Sequence, residues 1–245
     1  MKSPQIFILC AGEGRRLRPL TEDQPKCLVP YRNKPLLQYQ LEIIKALQLN
    51  DVTLIGGYRH EVLPNTYAKI VNVRYAETNM LYSLFCAEER MDASRDMIVA
   101  YGDIIYHASV LKILLEANDP IAIVTDVDWK YYWKNRMEDP LQDAETFRWD
   151  PHTRRILELG RKPQSQSDIQ GQYIGLFKIS ASYVTTFKTF YHHFCQTHTN
   201  AEKAYMTDFL QYLIDRQQPA FGIPIHNRWA EFDTVQDLQV KVDFL

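Results

Sequence analysis

Hydrophobic residues in the first half of the chain follow two spacings in alternation. Short apolar runs predict strands in the interior of a sheet, and apolar positions at helical spacing between them predict helices. The strand-like runs lie at residues 5–10, 51–58, 69–75, 96–103 and 120–126. The helical patterns lie at residues 35–47, 80–91 and 109–116. This alternation predicts parallel β-α-β units and therefore an α/β fold.

The pattern changes between residues 127 and 177. Aromatic residues crowd together there, prolines interrupt the chain, and only short strands are predicted. These short strands lie at residues 145–149, 156–159 and 173–179. We interpret the stretch as a small inserted lobe on the substrate side. The later elements are predicted to be helices at residues 183–194 and 207–216, a strand at 220–225, an extended segment at 229–234 and a terminal helix.

The length and charge of the chain narrow the kinds of partner that it has. A chain of 245 residues is long enough for one domain with a full core. The 28 basic and 30 acidic residues give a formal charge of -2. We therefore expect no general attraction to nucleic acid or to an anionic membrane. Any phosphate binding must be local.

The spacing of the cysteines and the length of the apolar runs indicate the cellular compartment. The four cysteines are scattered, without the C-x-x-C spacing of zinc sites or redox motifs, so we expect reduced thiols in the cytoplasm. No apolar run approaches the ~20 residues that span a bilayer. The apolar segment near the start of the chain is short and is followed at once by Arg15 and Arg16, which argues against a targeting signal.

The loop after the first predicted strand has the composition of a phosphate-binding site. Gly12 and Gly14 allow backbone N–H groups to approach an anion without a Cβ in the way, and Arg16 and Lys26 add positive charge. The loop leaves the C-terminal end of a strand, where open α/β sheets bind their ligands. A glycine pair beside cations is weak evidence alone, because a solvated surface loop can have the same composition.

The longer string is far more specific. Residues 12–28 match the pattern G-x-G-x-R-L-x-P-L-T-x-x-x-P-K-x-L, which resembles the nucleotidyltransferase family that activates sugar phosphates and phosphocholine. The string is neither a Walker loop nor a dinucleotide fingerprint. The resemblance covers nearly the whole chain and implies a three-layer α/β mixed sheet of Rossmann-like type. It also implies one domain with a nucleotide-binding half at residues 1–126 and an acceptor-binding half at residues 127–245.

The resemblance further implies that a phosphate oxygen of an acceptor attacks the α-phosphorus of a nucleoside triphosphate and expels pyrophosphate. Positioning and charge neutralisation supply most of the catalysis in such reactions. Arg16 and Lys26 are then the catalytic cations, and CTP is the expected nucleotide. The nucleotide-binding residues of the loop are Ala11, Gly12, Gly14 and Arg15.

Two aspartates are candidate Mg²⁺ ligands. Asp103 follows Gly102 at the end of a predicted strand; the family places a metal-binding aspartate there, although a turn or cap aspartate has the same surroundings. Asp233 lies in a segment similar to the E-x-D-[ST] pattern of the phosphocholine members. Mg²⁺ needs only one or two carboxylates when substrate phosphates supply the other ligands. Glu231 shares a strand face with Asp233 and is assigned to the acceptor, while Gly102 is assigned to the nucleotide.

Further nucleotide contacts are expected after the second and third strands. Asn79 and Ser83 fit the N-x-x-x-S segment that helps to hold the nucleoside in the cytidylyltransferases of the family. Asn79 would also serve simply as a helix cap. Gly57 and Tyr58 are expected near the base, although a glycine pair after a strand is often only a turn.

The aromatic stretch and its flanks are expected to bind the acceptor. Aromatic rings beside carboxylates can hold an organic ammonium group, although a packed aromatic mini-core has the same composition. The stretch resembles phosphocholine cytidylyltransferase-like proteins, including a branch thought to activate phosphorylated glutamine, and both acceptors carry an amine. Lys162 resembles a phosphate-contacting lysine, but the glutamate that precedes it in the family is absent. The expected acceptor-binding residues are Asp128, Trp129, Trp133, Arg136, Glu145, Lys162, Tyr173 and Glu231.

The predicted function is Mg²⁺-dependent transfer of CMP from CTP to a small phosphorylated, amine-bearing acceptor, and a homo-oligomer is compatible with the sequence. Two alternatives remain open: a sugar-1-phosphate nucleotidyltransferase, and a non-catalytic regulator that binds a nucleotide. A glycosyltransferase should carry a D-x-D motif, which Asp126 and Asp128 formally fit, but the loop at residues 12–28 argues against it.

Overall fold

The computed structural model describes residues 2–137 and 139–245. Its helices are α1 Leu36–Ala46, α2 Met80–Phe85, α3 Ala108–Glu116, α4 Trp129–Arg136, α5 Ala181–Thr197 and α6 Met206–Asp215. Its strands are β1 Gln5–Cys10, β2 Pro30–Tyr31, β3 Lys34–Pro35, β4 Val52–Gly56, β5 Ala68–Val71, β6 Met97–Tyr101, β7 Ile104–Tyr106, β8 Ile121–Asp126, β9 Phe147–Trp149, β10 Ile156–Leu159, β11 Gln172–Ile179, β12 Ala220–Ile225 and β13 Trp229–Glu231.

A seven-stranded sheet runs through the centre in the order β12-β8-β11-β6-β1-β4-β5. Neighbouring strands are parallel except where β11 pairs with β6 and β8, and both of those pairings are antiparallel. Ile8 lies opposite Leu54 on one side and Ala100 on the other, so β1 is an interior strand. The long apolar runs of the sequence are these buried strands, as expected when both faces of a sheet are covered.

Helices cover both faces of the sheet. Successive side chains of a strand point to opposite faces, and β1 shows this directly: Ile6 and Ile8 belong to the core under α1 and α3, whereas Phe7 belongs to the core under α2, α5 and α6. The predicted three-layer α/β architecture with a mixed sheet is therefore confirmed. None of the helices in the described part of the chain is both long and apolar enough to cross a membrane.

Four predictions about individual elements were wrong. The inserted stretch is shorter than predicted, because β11 is a central strand of the main sheet. The first part of the aromatic stretch forms helix α4. Helix α2 ends at Phe85, before a separate 3-10 turn at Glu88–Arg90. The predicted terminal helix is only a 3-10 turn at Asp237–Gln239.

A short ribbon beside the main sheet brings two distant parts of the chain together. Strand β7 follows Asp103 and pairs antiparallel with β13, which precedes Asp233, and Ile104 lies opposite Glu231. The backbone N–H of Phe232 donates a hydrogen bond to the carbonyl of Asp103, at 3.1 Å. This pairing places the two aspartates next to each other.

Candidate active site

The glycine-rich loop is held in a turn that only a small residue allows. Gly14 has φ of 64° and ψ of 46°, and a Cβ there would lie 2.9 Å from the Cβ of Lys26. The Thr21 hydroxyl donates to the Gly14 carbonyl at 3.0 Å, and the Lys26 N–H donates to the Gly12 carbonyl at 3.3 Å. The loop therefore closes on itself and carries Lys26 toward the end of the sheet.

Lys26 lies between the two aspartates. Its Nζ is 2.5 Å from Oδ2 of Asp103 and also donates to Oδ1 of Asp233. Burial favours the neutral amine, but the two carboxylates raise the pKa of Lys26 above its usual value. Burial would raise the pKa of Asp233, whereas hydrogen bonds and the charge of Lys26 bring it below the usual range. Arg16, at 3.2 Å from Asp233, adds a second cation.

The aspartate pair suits a divalent cation that is completed by a ligand. Oδ1 of Asp103 is buried and accepts no hydrogen bond from the described residues. The described residues contain no group of three or more His, Cys, Asp or Glu side chains placed to hold a metal ion. Two carboxylates with phosphate oxygens and water are an ordinary Mg²⁺ environment, so Asp103 and Asp233 fit a metal that arrives with phosphates.

A first cavity of about 140 Å³ opens beside Lys26 at the C-terminal ends of β1 and β6. The lining residues that the sequence predicted are Ala11, Gly12, Asn79, Ser83 and Gly102. Asn79 caps α2 through its side-chain oxygen, which accepts from the N–H of Met80. The hydroxyl of Ser83 is fixed by Asn72 at 2.9 Å. Both side chains are therefore positioned by the protein itself and still face the cavity.

Gly57 and Tyr58 are not among the residues that line this cavity, and their contact with the base stays a prediction. A Cβ at Gly57 would be 2.6 Å from Cβ of Tyr75, and the Tyr58 hydroxyl donates to the Glu22 carbonyl. Tyr75 and Thr78 line the cavity instead. They follow strand β5, so their position after a strand was an available signal.

A second and larger cavity, of about 630 Å³, has two chemically different ends. Arg15, Arg16 and Lys26 line one end. Side chains of the second half of the chain line the other end: Trp133, Asp143, Glu145, Gln172, Tyr173, Tyr205, Thr207 and Glu231. Asp103 and Asp233 line the same cavity and pair there with Lys26 and Arg16. The cavity therefore offers cations for phosphates at one end and carboxylates at the other.

Glu145 is a buried carboxylate that lines the large cavity. Burial is the main cause that raises its pKa to about 7, and the nearby charges of Asp208 and Asp143 raise it further. In the described part of the chain, no lysine or arginine forms an ion pair with it. Its backbone is clamped by Gln172, whose side-chain oxygen accepts from the Glu145 N–H at 3.2 Å. A rigidly held carboxylate without a protein cation is suited to a cationic ligand.

Trp133 borders the same end but is already engaged by the protein. Its ring is only 3% exposed, and its indole N–H donates to Asp143 at 3.2 Å. The guanidinium of Arg136 lies 5.5 Å from its ring centroid. Since Arg136 occupies that cation–π position, a ligand ammonium group is better placed at Glu145 than over the indole.

Comparison with known proteins agrees with this geometry. The model of the MobA-like NTP transferase domain matches residues 6–165. The chain belongs to this family. Nucleotidyltransferases of the family generally use a divalent metal ion, which agrees with the aspartate pair, and the predicted family relationship and enzyme class are confirmed.

Individual relatives narrow the comparison. The chain is 38% identical to the CTP:phosphoglutamine cytidylyltransferase of Campylobacter jejuni, over 97% of this chain and 98% of that protein. It is 42% identical to the choline-phosphate cytidylyltransferase of Streptococcus pneumoniae, over 36% of this chain and 40% of that protein. The solved structure of the CTP:phosphocholine cytidylyltransferase from Streptococcus pneumoniae aligns with a TM-score of 0.73 at 21% identity, covering 97% of each chain.

Several predicted acceptor residues of this family member lie outside the cavities. Asp128 pairs with His226 at 2.9 Å on the surface. Trp129 is buried in the core, where its indole N–H donates to the Ile169 carbonyl. Lys162 is exposed and lines neither cavity. Arg136 is buried among carboxylates rather than facing the acceptor. The structure thus places these four residues away from the lining of both cavities. Trp129 and Arg136 share one face of α4 with Trp133, and that face is buried, whereas Asp128 precedes the helix and Lys162 lies in the loop after β10.

Glu231 and Tyr173 do border the large cavity. Burial raises the pKa of Glu231, and the neighbouring charge of Asp233 raises it further. The hydroxyl of Tyr173 is buried and has no hydrogen-bond partner among the described residues. Asp143, Gln172 and the α6 residue Thr207 also line this cavity, although they are not among the expected acceptor-binding residues. Asp143 and Gln172 lie within or beside the stretches that resemble the family, whereas no motif marked Thr207.

Proposed function

We propose that this nucleotidyltransferase transfers CMP from CTP to a small phosphorylated acceptor that carries an amine, such as phosphorylated glutamine or a phosphocholine-like compound. The charges that line the large cavity carry this proposal: loop cations that pair with Asp103 and Asp233, and the buried carboxylate of Glu145, which pairs with no cation in the described part of the chain. Similarity to the CTP:phosphoglutamine cytidylyltransferase supports both the nucleotide and the acceptor class.

In the proposed reaction, an oxygen of the acceptor's phosphate attacks the α-phosphorus of CTP, and the bond from that phosphorus to pyrophosphate breaks. Ala11, Asn79 and Ser83 border the nucleoside part of the site. Arg15, Arg16 and the loop backbone around Gly12 face the triphosphate. No covalent intermediate with the protein is required.

The resident cation is proposed to be Mg²⁺, held by Asp103 and Asp233 together with phosphate oxygens. A bound Mg²⁺ ion would neutralise charge on the phosphates and on the departing pyrophosphate. The ammonium group of Lys26, which lies between these two carboxylates, would be within reach of a phosphate oxygen bound beside them. Lys26 and Arg16 would then stabilise the charge that builds up during transfer.

At the far end, Glu145 would pair with the acceptor's ammonium group, and Asp143 would add negative charge nearby. The Glu145 carboxylate is already largely buried, so an ammonium group that hydrogen-bonds to it would relieve an uncompensated buried charge. Tyr173 would supply a hydroxyl that has no partner among the described residues. A sugar phosphate lacks a cation for Glu145, so the same pocket should bind it poorly.

A pyrophosphate-release assay tests the proposal. CTP, UTP, dTTP, ATP and GTP are each combined with phosphorylated glutamine, phosphocholine, phosphoethanolamine and glucose-1-phosphate, in the presence and absence of Mg²⁺. We expect turnover with CTP and an amine-bearing acceptor only. Preference for glucose-1-phosphate would replace this proposal with a sugar-nucleotide activity, and nucleotide binding without any turnover would favour a regulator.

A further inference from the structure

One buried carboxylate outside both cavities holds the backbone of the Asp233 segment. Oδ2 of Asp237 accepts hydrogen bonds from the backbone N–H groups of Asp233 and Thr234, both at 2.8 Å, and from the Thr234 hydroxyl at 3.0 Å. In return, the backbone N–H of Asp237 donates to the Thr234 hydroxyl at 3.3 Å. A single oxygen thus fixes the turn from which the Asp233 side chain projects.

The buried guanidinium of Arg136 neutralises that carboxylate. Its Nε donates to Oδ1 of Asp237 at 2.9 Å, and its side chain is only 2% exposed. The guanidinium lies 5.3 Å from the ring centroid of Tyr132 and 5.5 Å from that of Trp133. Its remaining nitrogens approach Glu231 at 3.4 Å and Asp233 at 3.8 Å. Arg136 thus joins α4 to the whole β13 turn.

Asp237 and Arg136 therefore differ from the residues that face ligands. Neither lines the nucleotide cavity or the large cavity, and Asp237 is 4% exposed. Burying an ion pair costs desolvation free energy that the attraction between the two charges only partly offsets. A gain in the stability of the fold therefore does not explain this pair, which binds the turn that carries the candidate metal ligand Asp233. Polar groups that the pair contacts directly are the backbone N–H groups of Asp233 and Thr234, the Thr234 hydroxyl, and the carboxylates of Asp233, Glu231 and Asp143.

We propose that Asp237 and Arg136 form a positioning pair that aims the Asp233 carboxylate at the divalent cation. This inference rests on the proposed function in taking Asp233 as a metal ligand, and it adds that the ligand's geometry is set from α4. Partners that orient a metal ligand without touching the metal commonly alter metal affinity by about 10- to 100-fold when they are removed. Asp237 hydrogen-bonds to the Asp233–Thr234 turn and to Arg136, so replacing Asp237 should act on the affinity for the cation and hardly at all on the affinity for the acceptor.

The test measures cation binding directly, with the full chain. Mn²⁺ is used as the probe, and free Mn²⁺ is followed by electron paramagnetic resonance in the presence of CTP and in the absence of acceptor. We expect Asp237→Asn to weaken Mn²⁺ binding by about tenfold or more while the acceptor KM at saturating metal stays within about twofold. Asp243→Asn, an exposed aspartate in the same C-terminal segment, is the matched control and should change neither quantity.

A folded Asp237→Asn variant with parental Mn²⁺ affinity would overturn the proposal. If that variant does not fold, Thr234→Val decides the question, because it removes only the hydroxyl that exchanges hydrogen bonds with Asp237. We expect a loss of Mn²⁺ affinity of about threefold for Thr234→Val, and an unchanged affinity would count against the proposal. Arg136→Lys should restore more Mn²⁺ affinity than Arg136→Met, since the lysine keeps the charge beside Asp237.

The readout also separates this inference from the proposed function. Mn²⁺ binding in the presence of CTP requires no acceptor and no turnover. A parent protein that binds Mn²⁺ with CTP but uses none of the acceptors would refute the proposed reaction and leave the positioning pair testable. A parent that turns over normally, with variants that bind Mn²⁺ normally, would refute the positioning pair alone.

Discussion

The two ends of the large cavity treat charge in opposite ways. At the phosphate end, the cations and carboxylates already neutralise one another: Lys26 bridges Asp103 and Asp233, and Arg16 adds to Asp233. At the acceptor end, Glu145 is buried beside other carboxylates, and no cation pairs with it in the described part of the chain.

This difference suggests that the two ends have separate roles, one in the phosphate reaction and one in the choice of acceptor. The phosphate end can exchange its internal ion pairs for contacts with a metal and phosphates, so its charges remain paired at each stage. At the acceptor end, Arg136 pairs with Asp143 and Glu231, but Glu145 has no such partner in the described part of the chain. Under the proposed function, the ammonium group of the acceptor would supply that cation and would be a condition for tight binding. Under the proposed function, the phosphate end would serve any phosphorylated acceptor, whereas Glu145 would favour an acceptor that carries a positive charge.

The largest expected effect comes from removing a carboxylate at the phosphate end of the cavity. Asp103→Asn should lower kcat by about 10³-fold, because the residue is proposed to bind the cation that neutralises the transferring phosphate. Thermal unfolding should change little, since Lys26 keeps Asp233 as a partner. Steady-state pyrophosphate release and a thermal melt measure the two quantities. Asp23→Asn, on the exposed part of the loop, is the control, and near-parental turnover by Asp103→Asn would contradict the assignment.

Lys26→Met should separate two roles of one ammonium group. Turnover should fall by about a hundredfold, because a charge-assisted phosphate contact is lost. Binding of Mn²⁺ without nucleotide should become tighter than in the parent, because the two aspartates lose their resident cation. Equilibrium dialysis of Mn²⁺ checks the second effect. Lys34→Met, which removes a surface ion pair with Glu42, is the control and should alter neither quantity. If Lys26→Met bound Mn²⁺ more weakly than the parent without nucleotide, then Lys26 and the metal ion would not compete for the two aspartates.

Glu145→Gln should sharpen the comparison at the other end. The KM for an amine-bearing acceptor should rise by about 10- to 100-fold, the usual range for losing a hydrogen bond to a charged group, while the KM for CTP stays constant. Initial-rate kinetics are measured with phosphoethanolamine and with an acceptor of similar size that lacks the amine. The comparison shows whether the rise in KM depends on the amine. Glu158→Gln on β10 is a matched control outside the cavity. An equal loss for both acceptors would show that Glu145 does not read the amine.

The smallest expected effect concerns stability and pH. The folded chain raises the pKa of Glu145 from 4.5 to about 7, so between these values the folded state holds a proton that the unfolded state has released. The parent should therefore lose stability relative to Glu145→Gln as pH rises through this window, by up to about 3 kcal/mol above pH 7. Urea denaturation at several pH values measures the difference. A constant difference across the window would mean that Glu145 titrates normally.

The parts of the site built on strand ends were readable from the sequence. Lys26 lies in an extended signature, and Asp103 follows a strongly apolar strand, so its place at the sheet edge follows from the fold class. The structure brings both together with Asp233, and the central sheet confirms the predicted architecture. These features depend on local sequence and on the general geometry of parallel sheets.

The acceptor end was harder to predict because it depends on how α4 packs. The aromatic composition suggested a ligand cage, yet Trp129 faces the core and Arg136 pairs with Asp237, a residue far along the chain. Helical periodicity was obscured by polar residues on several sides of α4. Glu145 was predicted as a contact, but its lack of a protein cation depends on packing that no sequence motif encodes.

The place of β11 in the sheet also bears on how the chain reaches its folded state. β6 and β8 are nearest neighbours along the main sheet in sequence order, yet β11 separates them, so the two parts of the sheet join only after residues 127–171 have been passed. Pairings between such distant segments form slowly. Until β11 adds, β6 and β8 each present an unpaired edge that another chain can join. The strand that brings Tyr173 to the large cavity thus also closes both of these edges.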